Sequence, residues 1–274
     1  MTPQSFEVFA SVLRAGSGLA IGPDKGYLLE TRLASLLRRE SLSGLDALAE
    51  RLRSPRQVEL AREVVEAMTT NESFFFRDDK PFTHMRTQAL PRLHAARPAG
   101  ARLRIWSAAA STGQEAYSLA MLVAEARASL GGREVEIVGT DIARDALTRA
   151  REGTYTQFEI QRGLPMQMLV KYFRKDGNQW RIVDTIRNMA SFREWNLLQD
   201  LRPLGQFDVV FCRNVLIYFD QVTKARVLDA VARQLAPDGL LYLGGAETVL
   251  GITDRFAPSG SEHGVYELTG RRAA

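Results

Sequence analysis

LRIWSAAASTGQEAYSLAMLVAEARASL, Leu103 to Leu130, joins two periodicities that no single element can carry. Leu103–Trp106 is a short β-rich apolar run, whereas Ala116–Leu130 repeats its apolar residues at helical spacing. Small and polar residues fill the join from Ser107 to Glu115. Downstream the pattern recurs: VEIVGT (135–140) precedes DALTRAREG (145–153), FDVVFCRN (207–214) precedes QVTKARVLDAVARQLA (221–236), and LLYLGG (240–245) comes last. Alternating strands and helices predict an α/β domain with a parallel sheet covered on both faces. In that class the ligand site lies at the carboxyl ends of the strands. Strand-end residues are therefore the candidates.

Upstream, residues 1 to about 75 read as an all-helical unit. Phe6, Phe9, Val12 and Leu13 fall on one helix face, as do Leu29, Leu33, Leu36 and Leu37, then Leu45, Leu48, Ala49 and Leu52, then Leu60, Val64, Val65 and Met68. Glycine- and proline-bearing turns separate them, and Ser54-Pro55 predicts an N-cap with proline at the first helical position. The sheet domain is expected over 76–274. One segment breaks its alternation: short strands around Asp176-Gly177-Asn178 predict a small antiparallel lobe inserted at about 165–194.

With 274 residues, 45% hydrophobic and 25% charged, the composition is that of a folded soluble protein. A single cysteine, Cys212, excludes a disulfide framework and a cysteine-based zinc site. No secretory signal or run long enough to span a membrane is read, so a cytoplasmic location without membrane insertion is expected. The net charge of +4 suits an acidic partner, whether nucleic acid, an anionic cofactor or an acidic protein surface. Solvated arginines account for it equally well.

At the first strand end, SAAASTGQE lets backbone approach a ligand, although it lacks both GxGxxG and the phosphate-gripping GxxxxGK[ST]. A tight turn without a ligand also satisfies it. Asp141, closing the second strand in GTDI, suits the ribose hydroxyls of an adenosine, or else caps the helix behind it. Arg213, Asn214 and Tyr218 follow the strand FDVVF. No NPPY-like run stands there, which counts against a nucleic-acid substrate. Cys212 reads as core. His84, His94 and His263 have no metal-ligand spacing and are expected to be solvated or capping, with no metal.

TTNESFFFRD (69–78), WSAAASTGQEAYS (106–118), GTDI (139–142), NLL (196–198) and FDVVFCRNVLIYF (207–219) resemble, in order and spacing, the chemotaxis receptor methyltransferases of the CheR family. The likeness covers nearly the whole chain. It implies a Rossmann-like S-adenosylmethionine methyltransferase sheet with an inserted antiparallel β-subdomain behind an all-helical domain. It further implies methylation of glutamate side chains on chemoreceptor signalling helices, giving glutamyl methyl esters and S-adenosylhomocysteine. Carried over motif by motif, cofactor contacts fall on Asn71, Ser73, Arg77, Glu115, Asp141, Asn196, Leu197, Arg213 and Asn214. Arg77 holds either the cofactor's carboxylate or the incoming glutamate, and Tyr218 lies near the transferring methyl. Where the family usually has GEEPY, this chain has Gly113-Gln114-Glu115-Ala116-Tyr117, which preserves the second acid.

On this reading Asn71, Ser73 and Arg77 close over the cofactor while Phe74–Phe76 pack into the joint between the two parts. A glutamate is already ionised at neutral pH, so positioning matters more than a base. The helical unit is expected to recognise the receptor through a basic surface in which Arg32, Ser35 and Arg39 share one helix face beside the leucine stripe and Arg38 stands further round. Solvated arginines partnered by Glu30 and Glu40 account for the pattern equally well. The short KDGNQW turn argues against a C-terminal pentapeptide tether, and a monomer is expected. The rival readings are a methyltransferase acting on another substrate and a non-catalytic module that senses the cofactor within a signalling array. An NAD-linked dehydrogenase is the more distant rival, since the glycine fingerprint is missing.

Overall fold

The computed structural model describes residues 1–260 and 262–271, which divide into two compact units. The first comprises Met1–Thr70 together with Tyr218–Lys224. Its helices are α1 (Pro3–Ser17), α2 (Gly26–Arg39), α3 (Leu45–Leu52) and α4 (Val58–Met68). The apolar stripes read from the sequence form its interior: Phe9, Leu13, Leu29, Leu33, Leu48 and Val64 are wholly buried. Thr2 caps α1, its hydroxyl accepting the Ser5 N–H at 3.2 Å. Ser54-Pro55 does not start α4, contrary to the sequence expectation. The Gln57 N–H closes a turn on the Ser54 carbonyl at 3.1 Å, with Pro55 at the second turn position, and the helix begins three residues later. The segment 218–224 returns to this unit, where Leu19 bridges Phe219 and the Ala20 N–H donates to the Tyr218 carbonyl at 3.0 Å. A linear boundary near residue 75 carries no signal for that return.

The second unit comprises Asn71–Ile217 and Ala225–Ala274. It opens with α5 (Lys80–His84), a π-helical turn (Met85–Ala89) and α6 (Leu90–Ala96). Then come β1 (Leu103–Ala108), α7 (Gln114–Glu125), β2 (Val135–Asp141) and α8 (Arg144–Glu152). Short elements follow: β3 (Thr154–Thr156), α9 (Gln157–Gln161), α10 (Met166–Tyr172), β4 (Phe173–Asp176), β5 (Gln179–Ile182), α11 (Asp184–Arg187) and β6 (Ala190–Glu194). The chain ends with β7 (Phe207–Phe211), α12 (Gln221–Gln234), β8 (Leu235–Tyr242), β9 (Phe256–Pro258) and β10 (Val265–Leu268). The main sheet runs β6-β2-β1-β7-β8-β10-β9, parallel from β6 to β8, with β10 antiparallel to both of its neighbours. β3, β5 and β4 form the separate antiparallel lobe, joined through a two-residue turn at Gly177–Asn178. From β1 the chain steps outward to β2 and β6, then crosses back to β7 and β8. The strand order therefore reverses between β1 and β7, which is where such sheets open a crevice at their carboxyl ends.

At the opposite end of the strands, Arg97 ties two carboxylates together, the buried Asp208 and the half-buried Asp238. It donates to Asp208 at 3.0 and 2.5 Å and to Asp238 at 2.6 Å through two nitrogens, while the other Asp208 oxygen accepts the Arg104 N–H at 2.8 Å. Removing the guanidinium leaves two desolvated charges without a counter-ion. Arg97→Ala is expected to lower unfolding free energy by about 3–5 kcal/mol in chemical denaturation. Arg202→Ala, which breaks only the exposed pair with Asp200, should leave the denaturation midpoint in place.

Candidate cofactor site

The loop after β1 meets the crevice. Ala109 and Ser111 both adopt left-handed backbone, with φ of 58° and 51°, so the chain turns sharply with only Gly113 in the loop. Neighbouring polar groups hold it there. The Ala110 N–H donates to the Thr140 carbonyl at 2.8 Å, the Ser111 N–H to Asp141 Oδ2 at 2.8 Å, and the Tyr155 hydroxyl to the Thr112 carbonyl at 2.9 Å. Asp141 also accepts the Ala143 N–H at 2.9 Å, so its buried carboxylate clamps two loops; the residue at the N-cap position of α8 is Ala143. Ser111 Oγ reaches the Asn71 carbonyl at 3.0 Å, joining this loop to the stretch that carries the three phenylalanines.

Those phenylalanines find their ring and cation partners within the sheet unit. Phe75 is wholly buried in the core of the sheet unit, edge-on to Tyr155 at 5.0 Å and Phe173 at 5.5 Å. Phe76 meets Phe82 at 5.3 Å. A side chain at Gly163 would overlap the Phe75 carbonyl oxygen, so the segment behind α9 lies directly against this stretch. Phe74 sits between two guanidiniums, Arg162 at 4.7 Å and Arg77 at 5.2 Å from its centroid. Glu72 serves both: its carboxylate pairs with Arg162 at 2.8 Å and its carbonyl accepts from Arg77 at 3.3 Å. Two of the three contiguous rings, Phe75 and Phe76, join one aromatic core within the sheet unit, while Phe74 lies against the two guanidiniums.

Arg213 follows β7 with its side chain 1% exposed. It donates to Glu115 at 3.2 Å, to Asp78 at 2.6 Å and to the Arg77 carbonyl at 2.9 Å. Glu115, in the first turn of α7, also accepts from Ser107 Oγ at 2.7 Å. Its burial pushes the carboxyl above the usual carboxylate range, while Arg213 opposes that shift. Asn214 has left-handed backbone, φ 59°, and its N–H donates to Glu247. Asn196 is half-buried, its carboxamide oxygen accepting the Leu198 N–H at 2.9 Å, and Leu197 is buried beside it. Ser73 is half-buried. Tyr218 belongs to the helical unit through its carbonyl.

Of the arginines expected to face a receptor, Arg32 is already engaged. Its guanidinium donates to the Met68 carbonyl at 2.6 Å, the Thr69 carbonyl at 3.1 Å and Thr70 Oγ1 at 3.0 Å, satisfying the end of α4. Arg39 pairs with Glu63 and Glu40, whereas Arg38 is exposed with no ion pair among the described residues.

Cys212 is fully buried, and burial pushes its thiol well up, as fits a core residue. The histidines divide differently from the sequence expectation. His84 is buried, its Nδ1 2.8 Å from the Tyr242 hydroxyl; Arg133 donates to His94 Nδ1 at 2.9 Å; His263 is exposed. Among the described residues no group of three or more His, Cys, Asp or Glu side chains is placed to hold a metal ion. No described helix is long and apolar enough to cross a membrane.

Sequence reading missed Glu247, Asp78, Arg162 and Tyr155. Glu247 alone had a signal, as an acid four residues beyond the run LLYL at a strand end. The other three act across long sequence separations.

The chain matches the family model for the CheR methyltransferase SAM-binding domain over residues 71–265 and that for the CheR all-alpha domain over residues 4–69. It is 39% identical to chemotaxis protein methyltransferase Cher2 of Pseudomonas putida, covering 92% of each chain. It is 40% identical to chemotaxis protein methyltransferase 1 of Pseudomonas aeruginosa, again over 92% of each. A third relative, chemotaxis protein methyltransferase 1 of Vibrio cholerae, is 37% identical over 93% of each.

The residues fit that cofactor class. A buried carboxylate at the switch point suits an ammonium group, Arg77 and Arg213 suit a carboxylate, and the close first turn suits an adenosine. A cofactor ammonium held by Glu115, the assignment proposed below, is bound more strongly by the ionised carboxylate, so cofactor affinity is expected to fall with falling pH through a midpoint above the ordinary glutamate value. Calorimetric titration across pH checks this, and Glu115→Gln should flatten that limb. Arg162→Ala frees Glu72 and one face of Phe74. It is expected to raise the KM for the cofactor about tenfold with a smaller change in kcat, and Arg162→Lys should recover part of it.

Proposed function

Because the chain belongs to the CheR methyltransferase family, we propose that it methylates glutamate side chains on the cytoplasmic helices of chemoreceptors, with S-adenosylmethionine as donor. The products are glutamyl methyl esters and S-adenosylhomocysteine, and the catalytic work takes place in the cytoplasm. The observation that carries this reading is the buried Glu115–Arg213 pair beside Arg77 at the sheet's switch point. When bound, the cofactor supplies an electrophilic methyl on a sulfonium.

Ionised glutamate needs no deprotonation, so the chain's own residues position and desolvate rather than abstract a proton. Glu115 is assigned to the cofactor's ammonium, and Arg77 and Arg213 to its carboxylate. Asp141, Asn196 and Leu197 are assigned to the adenosine, with Asn71, Ser73 and Asn214 completing the enclosure. Arg77, stacked on Phe74, is held before any substrate arrives, and a preset cation loses little freedom on binding an anion. Where Arg77 meets the incoming glutamate instead, it must not hold that carboxylate so tightly that the reacting charge is stabilised only in the ground state. Tyr218 is assigned to the methyl-transfer step by its match to the family motif, and no metal takes part.

Receptor recognition falls to the helical unit. Arg38 is exposed there and has no ion pair among the described residues, so it is the leading contact for an acidic receptor helix, with Arg39 beside it. Arg32 acts first as the cap of α4. The two-residue β4–β5 turn offers no loop for a peptide terminus, so we propose an enzyme that acts as a monomer without a tether.

Methyl-labelled cofactor and chemoreceptor cytoplasmic fragments test the reading directly. Label should enter the fragments and leave as methanol in mild base, and Arg77→Ala should lower kcat/KM about 100-fold. Base-stable label would mean a different acceptor group, and binding without turnover would mean a sensor.

A further inference from the structure

Glu247 lies beyond β8, 5% exposed, with no ion-pair partner among the described residues. A buried carboxylate without a cation needs another source of compensation. Here it is backbone. Oε1 accepts the N–H groups of Val215 at 2.9 Å, Leu216 at 2.7 Å and Ile217 at 3.3 Å. Oε2 accepts those of Asn214 and Gly244, both at 2.7 Å. One side chain therefore collects five N–H groups from the ends of two adjacent strands.

Asn214 is the residue this arrangement constrains most. Its φ of 59° is unfavourable for a residue with a Cβ and persists only where the surroundings dictate it. Its N–H is held by Glu247, and its carboxamide lies against Gly244, where an added Cβ would come within 2.7 Å of Nδ2 and 2.8 Å of Glu247 Oε2. Glutamine cannot replace the acid. Its amide nitrogen is a donor, and either orientation turns that donor toward at least two N–H groups.

We infer that Glu247 is a positioning residue of the methyltransferase site, fixing Asn214 in the conformation that meets the cofactor. This rests on the reading above that Asn214 contacts the cofactor. Glu247 touches neither reactant. Its influence runs through the backbone of 214–217, with Gly244 preventing displacement from the other side.

A double-mutant cycle on the full chain tests this, with S-adenosylhomocysteine affinity by calorimetry and S-adenosylmethionine kinetics as readouts. Asn214→Ala and Glu247→Gln should each weaken cofactor binding about tenfold or more, and the double variant should be little worse than the worse single one. The loss should fall mainly on the KM for the cofactor. In Glu247→Gly, formate should restore affinity in a saturable way, whereas chloride at equal ionic strength should not. Should Glu247→Gln fail to fold, Glu247→Asp and Gly244→Ala carry the same cycle. Additive penalties, or full affinity in the Glu247 variants beside a weakened Asn214→Ala, would overturn the positioning role. Full affinity in Asn214→Ala would overturn it at its premise, by removing the cofactor assignment of Asn214.

Discussion

One buried arginine joins the parts of this site. Arg213 reaches the first turn of α7 through Glu115, the segment after the phenylalanines through Asp78, and the backbone through the Arg77 carbonyl. Its Nε has no hydrogen-bond partner among the described residues. Breaking such a network by removing one charge costs more than the network contributes as a whole, because the remaining carboxylates stay desolvated. The first loop, the 71–79 stretch and the β7 end are thereby held in one electrostatic arrangement.

The same logic resolves the missing glycine fingerprint. A dinucleotide loop obtains positive φ from glycine, whereas here Ala109, Ser111, Asn214, Phe76, Asp78 and Asp79 adopt it. Each such residue costs of order 1 kcal/mol, and each loop is held by groups that hydrogen-bond its backbone. Asp141 holds the first loop and Glu247 the third. Carboxylates gripping N–H groups take the place of conformational freedom, and the result is stiffer than a glycine loop. The change from the family's usual GEEPY to GQEAY fits this. The added Gln114 is buried, its carboxamide accepting from Thr112 Oγ1 at 2.8 Å, so loop stiffness does not depend on the lost proline.

Much of this was legible because it is local. The α/β alternation, the four helical stripes and the hairpin turn each follow from periodicity within a dozen residues. Asp141, Arg213 and Asn214 became candidates because topology sends strand ends to one crevice, and Glu115 became one through the family resemblance. What escaped depends on contacts between distant segments: Glu72 with Arg162, Asp78 with Arg213, Tyr155 with Thr112, and the return of 218–224 to the helical unit. Arg32 shows the opposite failure. Helix periodicity placed it on a face beside the leucines, but periodicity says nothing of the unsatisfied carbonyls at the end of α4 that claim it.

The chemistry proposed for the site also explains what its interior lacks. Burial raises the hydroxyls of Tyr117, Tyr155 and Tyr242 and the thiol of Cys212, so all four stay neutral at ordinary pH. Burial lowers the pKa of His84, which keeps the imidazole neutral as well. A reaction that extracts a proton needs a group tuned toward neutrality with a partner to receive the charge, and none of these five is tuned that way. Transfer of a methyl from sulfonium to carboxylate moves no proton and annihilates one charge of each sign. For that displacement, fixed ionic groups and silent neutral ones suffice. The demand falls on holding Glu115, Arg77 and Arg213 in register, which is where this fold concentrates its buried hydrogen bonds.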